Sequence, residues 1–184
     1  MKIQRKSLTQ LFVPICFETL FYMLSGMVDT LMLSSVSDQA VGAVGTANTY
    51  IGVFIIMFGV ISSGMVAVMT QNIGAGKPGV AYQARQLGLI FNAVVGVMMS
   101  VFLAVFSGKI LEIVSIAPAL FTPAETYLKI VGGACFLNAL IPIFSSYLRV
   151  FGYTRQSLLA SITGNIINFI LNSVFLFVMN WGVM

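Results

Sequence analysis

Two carboxylates, Glu18 and Asp29, stand eleven residues apart in a stretch that otherwise carries no charge. At about 100° per residue that separation is three turns plus roughly 20°, so on a helix both project from one face, about 16 Å apart along the axis. Tyr22 and Ser25 fall between them at the i+4 and i+7 positions, completing a polar stripe. A second stripe, Ser161, Asn165, Asn168 and Asn172, repeats the spacing without charge. A carboxylate flanked by amide oxygens suits a hard monovalent cation or a transferable proton, because oxygen ligands replace lost hydration. Plainer roles compete with this one. Asn side chains bridge helices in membranes for about 0.6 kcal/mol each, Glu18 is suited to pairing with a Lys or Arg of a missing segment, and Asp29 stands close enough to a boundary to snorkel into headgroups.

The elements that must position these groups are membrane helices. Of 184 residues, 59% are hydrophobic and 8% charged, with a mean hydropathy of +1.01. Soluble domains carry about a quarter charged residues, a disordered chain needs low hydrophobicity, and a nucleic-acid binder needs a basic patch on a polar fold. Runs that could cross a bilayer lie at about 8–33, 42–70, 87–106, 126–148 and 157–179. Ile51 to Val60 is almost continuously apolar, without the alternation of a barrel strand. The expected fold class is therefore an all-α integral membrane protein of about five transmembrane helices. Ser34 to Asp38, Gly74 to Gly79, Pro118 to Pro123 and Gly152 to Thr154 supply the breaks.

The cations orient the chain. With a cytoplasmic N-terminus, Lys2, Arg5, Lys6, Lys77, Arg85, Arg149 and Arg155 fall inside, and only Lys109 and Lys129 outside. The expected location is a cell (plasma) membrane, multi-pass. Lys2 to Phe17 resembles the start of a signal peptide, but two acidic residues follow and no small-x-small cleavage site is evident.

Other chemistry is poorly supported. The chain has no His, and Cys16 and Cys135 are isolated within apolar spans, so neither a metal site nor a cofactor is expected. No nucleophile and base pair, and no carboxylates at hydrolase spacing, suggest an enzyme. Gly74 to Gly79 lacks the Gly-Lys-Ser/Thr ending of a phosphate loop. The eleven Met residues read as adaptable packing.

Several motifs together carry a resemblance. Pro14 followed by Glu18 and then Val28-Asp29-Thr30-Leu31-Met32 resembles the first helix of the multidrug and toxic compound extrusion (MATE) family of antiporters. Ala40 to Gly45 resembles the entry to the family's second helix, and Gln71 with Gly74-Ala75-Gly76 its first cytoplasmic loop. Arg149 to Arg155 and the Asn165, Asn168, Asn172 series complete the pattern in order. The resemblance implies twelve helices in two six-helix lobes, expelling organic cations in exchange for protons or sodium. It assigns Asp29 to the coupling-ion site with Asn168 and Asn172, and leaves Glu18, Tyr22 and Asn165 to line the substrate side. By depth alone Glu18 would rank first.

On this reading the chain is the N-terminal lobe without a sixth helix or a C-terminal lobe, and its partners are the lipid bilayer, a small organic substrate and that missing lobe. No nucleic acid is expected. Two alternatives stand beside it: a lipid-linked oligosaccharide flippase of the same superfamily, and a non-transporting subunit or truncated fragment, in which the polar stripes would be dispensable. The flippase ranks lower because the spans hold no Arg or Lys near mid-membrane.

Overall fold

The computed structural model describes residues 7–35 and 37–174. Lys2, Arg5 and Lys6, and the last part of the fifth expected span, lie outside the described residues. Helix α1 (Leu8–Ser34) opens on a capping box: Ser7 Oγ accepts from the Gln10 amide at 3.4 Å, while Gln10 Oε1 accepts from the Ser7 amide at 3.2 Å. Two of the helix's unpaired amides are thereby satisfied. Helix α2 (Asp38–Gly74) is capped by Ser37, with Asp38 favourably placed in its first turn. Helix α3 (Pro78–Ile113) begins on a proline, whose missing N–H costs nothing at that position.

At 37 and 36 residues, α2 and α3 are about 55 Å long at 1.5 Å per residue, well beyond a hydrocarbon core of about 30 Å. They therefore outrun the expected spans 42–70 and 87–106 at both ends. The charge-free runs mark what lies in hydrocarbon, whereas the helices continue as far as their backbone bonds are satisfied.

The fourth expected span differs more. Helix α4 (Pro118–Tyr127), a π-helical turn (Leu128–Gly132) and helix α5 (Cys135–Val150) form a broken element with a 46° bend. Pro118, expected in a loop, is instead the first residue of α4. The break leaves amides at the start of α5 without helical acceptors. One is recovered across the bundle, where Ser100 Oγ of α3 accepts from the Phe136 amide at 2.7 Å. Helix α6 (Thr154–Ser173) follows a tight turn in which Gly152 adopts φ of +80°, a conformation that a side chain would strain.

Helices α2 to α5 enclose the main core, built from Ala43, Ala47, Ile51 and Phe58 of α2, Leu103 and Leu111 of α3, Ala124 of α4, Leu128 of the π-turn, and Cys135 and Ala139 of α5. Small residues let α3 approach α5 closely. A Cβ on Gly96 would stand 2.7 Å from the Ala139 Cβ. Asn92, fully buried, donates to the Phe58 carbonyl at 3.3 Å and the Ala139 carbonyl at 3.0 Å, so one side chain joins three helices.

Helices α1 and α6 lie side by side and parallel, since Gln10, Glu18 and Asp29 meet Thr154, Ser157 and Asn172 in that order. Only Pro14, Glu18 and Met32 of α1 are buried. Helices α1, α2 and α3 are each long and apolar enough to cross a membrane, and the bent α4–α5 pair is a fourth candidate. The described part of α6 is studded with Thr, Ser and Asn and falls below that apolarity. Arg85 stacks over Tyr147 at 5.0 Å, which brings the start of α3 to the end of α5.

Candidate functional site

The two polar stripes meet, but their carboxylates experience opposite surroundings. Toward the C-terminal end of α1, Asp29 is half-buried and its Oδ1 accepts from Asn172 Nδ2 at 2.9 Å. The same amide nitrogen lies 3.2 Å from Asn168 Oδ1, one turn earlier on α6. Among the described residues no cation lies within ion-pair distance of Asp29. The carboxylate thus stands beside two amides whose orientations are adjustable. Rotating the Asn172 amide by half a turn would exchange its NH2 for its oxygen. That would set an amide oxygen, the Asn168 oxygen and the carboxylate around a small cation, whereas the orientation observed suits a carboxylate that needs a donor.

Glu18 sits eleven residues nearer the start of α1 and is paired. Arg149, the penultimate residue of α5, places Nη2 2.8 Å from Glu18 Oε1. Ser157 of α6, itself buried, donates to the carboxylate with its Oγ 3.1 Å and 3.2 Å from the two oxygens. The cation expected from a missing segment is therefore present in this chain. Arg149 lies just beyond the fourth expected span, at the end of α5, and its side chain reaches Glu18 from there. A buried carboxylate without such a partner would carry a large desolvation penalty.

The remaining stripe residues are more open. Tyr22 is exposed and Ser25 and Ser161 are half-buried. Asn168 is exposed, and Asn165 is half-buried with its Nδ2 enclosed and, among the described residues, without an acceptor. The structure brings Asp29, Asn168 and Asn172 together and leaves Glu18 in a separate cluster. Arg149 and Ser157 are the residues that sequence reasoning missed. Their one signal was that a carboxylate in mid-span requires a donor set, which names no partner.

Between α1 and α6, a largely apolar groove of about 530 Å³ is lined by Val13, Pro14, Phe17, Leu158 and Leu159 with Thr9 and Gln10 at one end, and Arg155 is its one charge among the described residues. That charge is the wrong sign for an organic cation.

The MatE family model matches residues 14–174. The chain is 33% identical over 171 residues to the uncharacterized transporter YisQ of Bacillus subtilis, covering 93% of this chain and 38% of that protein. It is 29% identical over 173 residues to the multidrug resistance protein PmpM of Pseudomonas aeruginosa, covering 93% and 36%. The similarity to the FAD transporter of Shewanella oneidensis is 25% over 162 residues, covering 88% and 36%. The chain thus spans little more than a third of the length of these relatives. Its fold matches an outward-facing MATE transporter with a TM-score of 0.86 over 95% of this chain and 39% of that one, at 19% identity. An inward-facing MATE structure matches with a TM-score of 0.79 over 97% and 41%.

Proposed function

The chain belongs to the MatE family, and from that premise we propose that it forms the ion-coupling lobe of a secondary active transporter that exports organic cations in exchange for protons or sodium. The observation that carries this reading is the half-buried Asp29 carboxylate, free of any cation within reach among the described residues and held by the amide of Asn172 with Asn168 beside it. A permanent ion pair there would leave nothing to exchange; a lone carboxylate with turnable amides can take and release a cation.

In this proposal Asp29, Asn168 and Asn172 bind the coupling ion. Tyr22 and Asn165 line the substrate side, with Glu18 reachable only when Arg149 withdraws. Ion and substrate must favour different states of the same cavity, because a ligand indifferent to two states shifts neither. The second lobe that alternating access requires is supplied by the rest of a longer chain or by a partner. The protein resides in the plasma membrane with its N-terminus in the cytoplasm. Support for that orientation comes from Lys77, Arg85, Arg149 and Arg155, which gather around the α2–α3 and α5–α6 turns, while Lys109 and Lys129 lie toward the opposite end.

The test is Asp29→Asn in the complete carrier, scored by ion-driven dye efflux from cells or vesicles. The substitution keeps an acceptor for Asn172, so the lobe still assembles, and coupled efflux is expected to collapse to background. Unaltered coupled efflux would overturn the assignment.

A further inference from the structure

The α5–α6 turn grips the first half of α1 at successive points. Pro14 has no N–H, so the Gln10 carbonyl, four residues earlier, loses its helical donor. Thr154 at the start of α6 fills that place, with Oγ1 3.5 Å from the Gln10 oxygen. Four residues after Pro14, Glu18 takes Arg149 at 2.8 Å and Ser157 at 3.1 Å and 3.2 Å. Two of the three buried residues of α1, Pro14 and Glu18, therefore belong to this clamp. The clamp is also where α1 reaches α5.

The ion pair at its centre is incomplete. Arg149 meets Glu18 through Nη2, while its Nε is enclosed and has no acceptor among the described residues. A guanidinium binds a carboxylate most strongly as a two-pronged fork, and the Nε prong of this one is not engaged with the carboxylate. Its side chain is also 34% exposed, so it runs from an accessible surface to the buried carboxylate. A cation arriving along that surface would find an anion whose present partner is poorly anchored.

Resting on the reading of the chain as a lobe of an organic-cation exporter, we propose that Arg149 is a resident cation that a lipophilic cationic substrate displaces from Glu18, so that substrate occupancy and closure of the clamp on α1 are mutually exclusive. Displacement leaves the charge balance at Glu18 unchanged, because one cation replaces another. It removes the tie between α1 and α5, leaving the first half of α1 held by Thr154 and Ser157 on α6. Substrate binding thereby acquires a differential affinity for the released state, which is the requirement for a ligand to shift a conformational equilibrium.

The experiment measures equilibrium binding of tetraphenylphosphonium to the purified chain in lipid nanodiscs. Arg149→Gln removes the competitor and is expected to tighten binding by about tenfold, the scale of one close charge contact. Arg149→Lys, a shorter and weaker competitor, and Ser157→Ala, which frees the carboxylate from one donor, are expected to tighten it less; they decide the matter if Arg149→Gln does not yield folded protein. Combining Arg149→Gln with Glu18→Gln should return binding to the parent level or below. No tightening in any single variant, or a double variant that binds as tightly as Arg149→Gln, overturns the proposal. The antiport reading fails separately: tighter binding by Arg149→Gln together with ion-coupled efflux at Asp29→Asn unchanged from the parent would keep the clamp and discard ion exchange at Asp29.

Discussion

Asn172 donates to Asp29 across the α1–α6 interface at 2.9 Å while the same nitrogen lies 3.2 Å from Asn168. One NH2 group thus serves two oxygens, and in the ion exchange we propose, Asn172 must reorganise whichever oxygen the ion occupies. In that proposal the amide acts on the ion and on the helix contact at once.

Asn172→Leu separates those roles, since it preserves bulk and removes both donor and acceptor. It is expected to weaken coupling-ion affinity by about tenfold, the effect of one lost contact to a charged group. Asn168→Ala should weaken it less, because Asn168 is exposed and holds no direct bond to the carboxylate. The check is the ion-concentration dependence of dye efflux by the complete carrier.

The Glu18–Arg149 pair should reveal itself in stability. Removing one partner of a buried pair costs about 3–5 kcal/mol, and the partial exposure of Arg149 reduces this to about 1–2 kcal/mol. Glu18→Gln and Arg149→Gln are each expected to lower the thermal midpoint in detergent. The double variant should lose less than the sum, with a coupling of about 1 kcal/mol. Strict additivity would mean that the two groups are not energetically paired.

These pairs mark where sequence reasoning reaches and where it stops. The stripes on α1 and α6 were legible because helical period alone decides which residues share a face, and two such faces must turn away from lipid. Glu18 was legible as a buried charge that required compensation. Arg149 was not, because it sits in sequence at a boundary where cations are ordinary, and only the fold brings its side chain to Glu18 of α1. The bend between α4 and α5 was hidden for a related reason: apart from Lys129 near its start, 126–148 is free of charge, and freedom from charge is the same for a straight span and a broken one. The Pro118 start of α4 was readable as a helix start, yet between two spans a proline signals a loop equally well.

Asn92 offers a test of the core that is independent of the polar stripes. Its two bonds, to the Phe58 and Ala139 carbonyls, are worth about 0.6 kcal/mol each by the membrane average. Truncation also opens a cavity in a fully buried site. Asn92→Ala is therefore expected to destabilise by about 2 kcal/mol, read as a lower unfolding midpoint. Tetraphenylphosphonium binding should be unchanged, because Asn92 bonds to α2 and α5 rather than at the clamp.

Gly96 tests how tightly α3 and α5 are pressed together. An added Cβ would stand 2.7 Å from the Ala139 Cβ and 3.1 Å from the Phe136 Cα, and the second neighbour is backbone that cannot rotate away. Gly96→Ala must therefore push α5 outward, which also stretches the bonds of Asn92 to Ala139 and of Ser100 to Phe136. Overpacking of this kind costs about 1–3 kcal/mol. Ala139→Gly removes the shorter contact and leaves the one to Phe136. The double variant is expected to recover part of the loss. Complete recovery would mean that methyl against methyl is the sole obstruction, and no recovery would mean that the Phe136 backbone is.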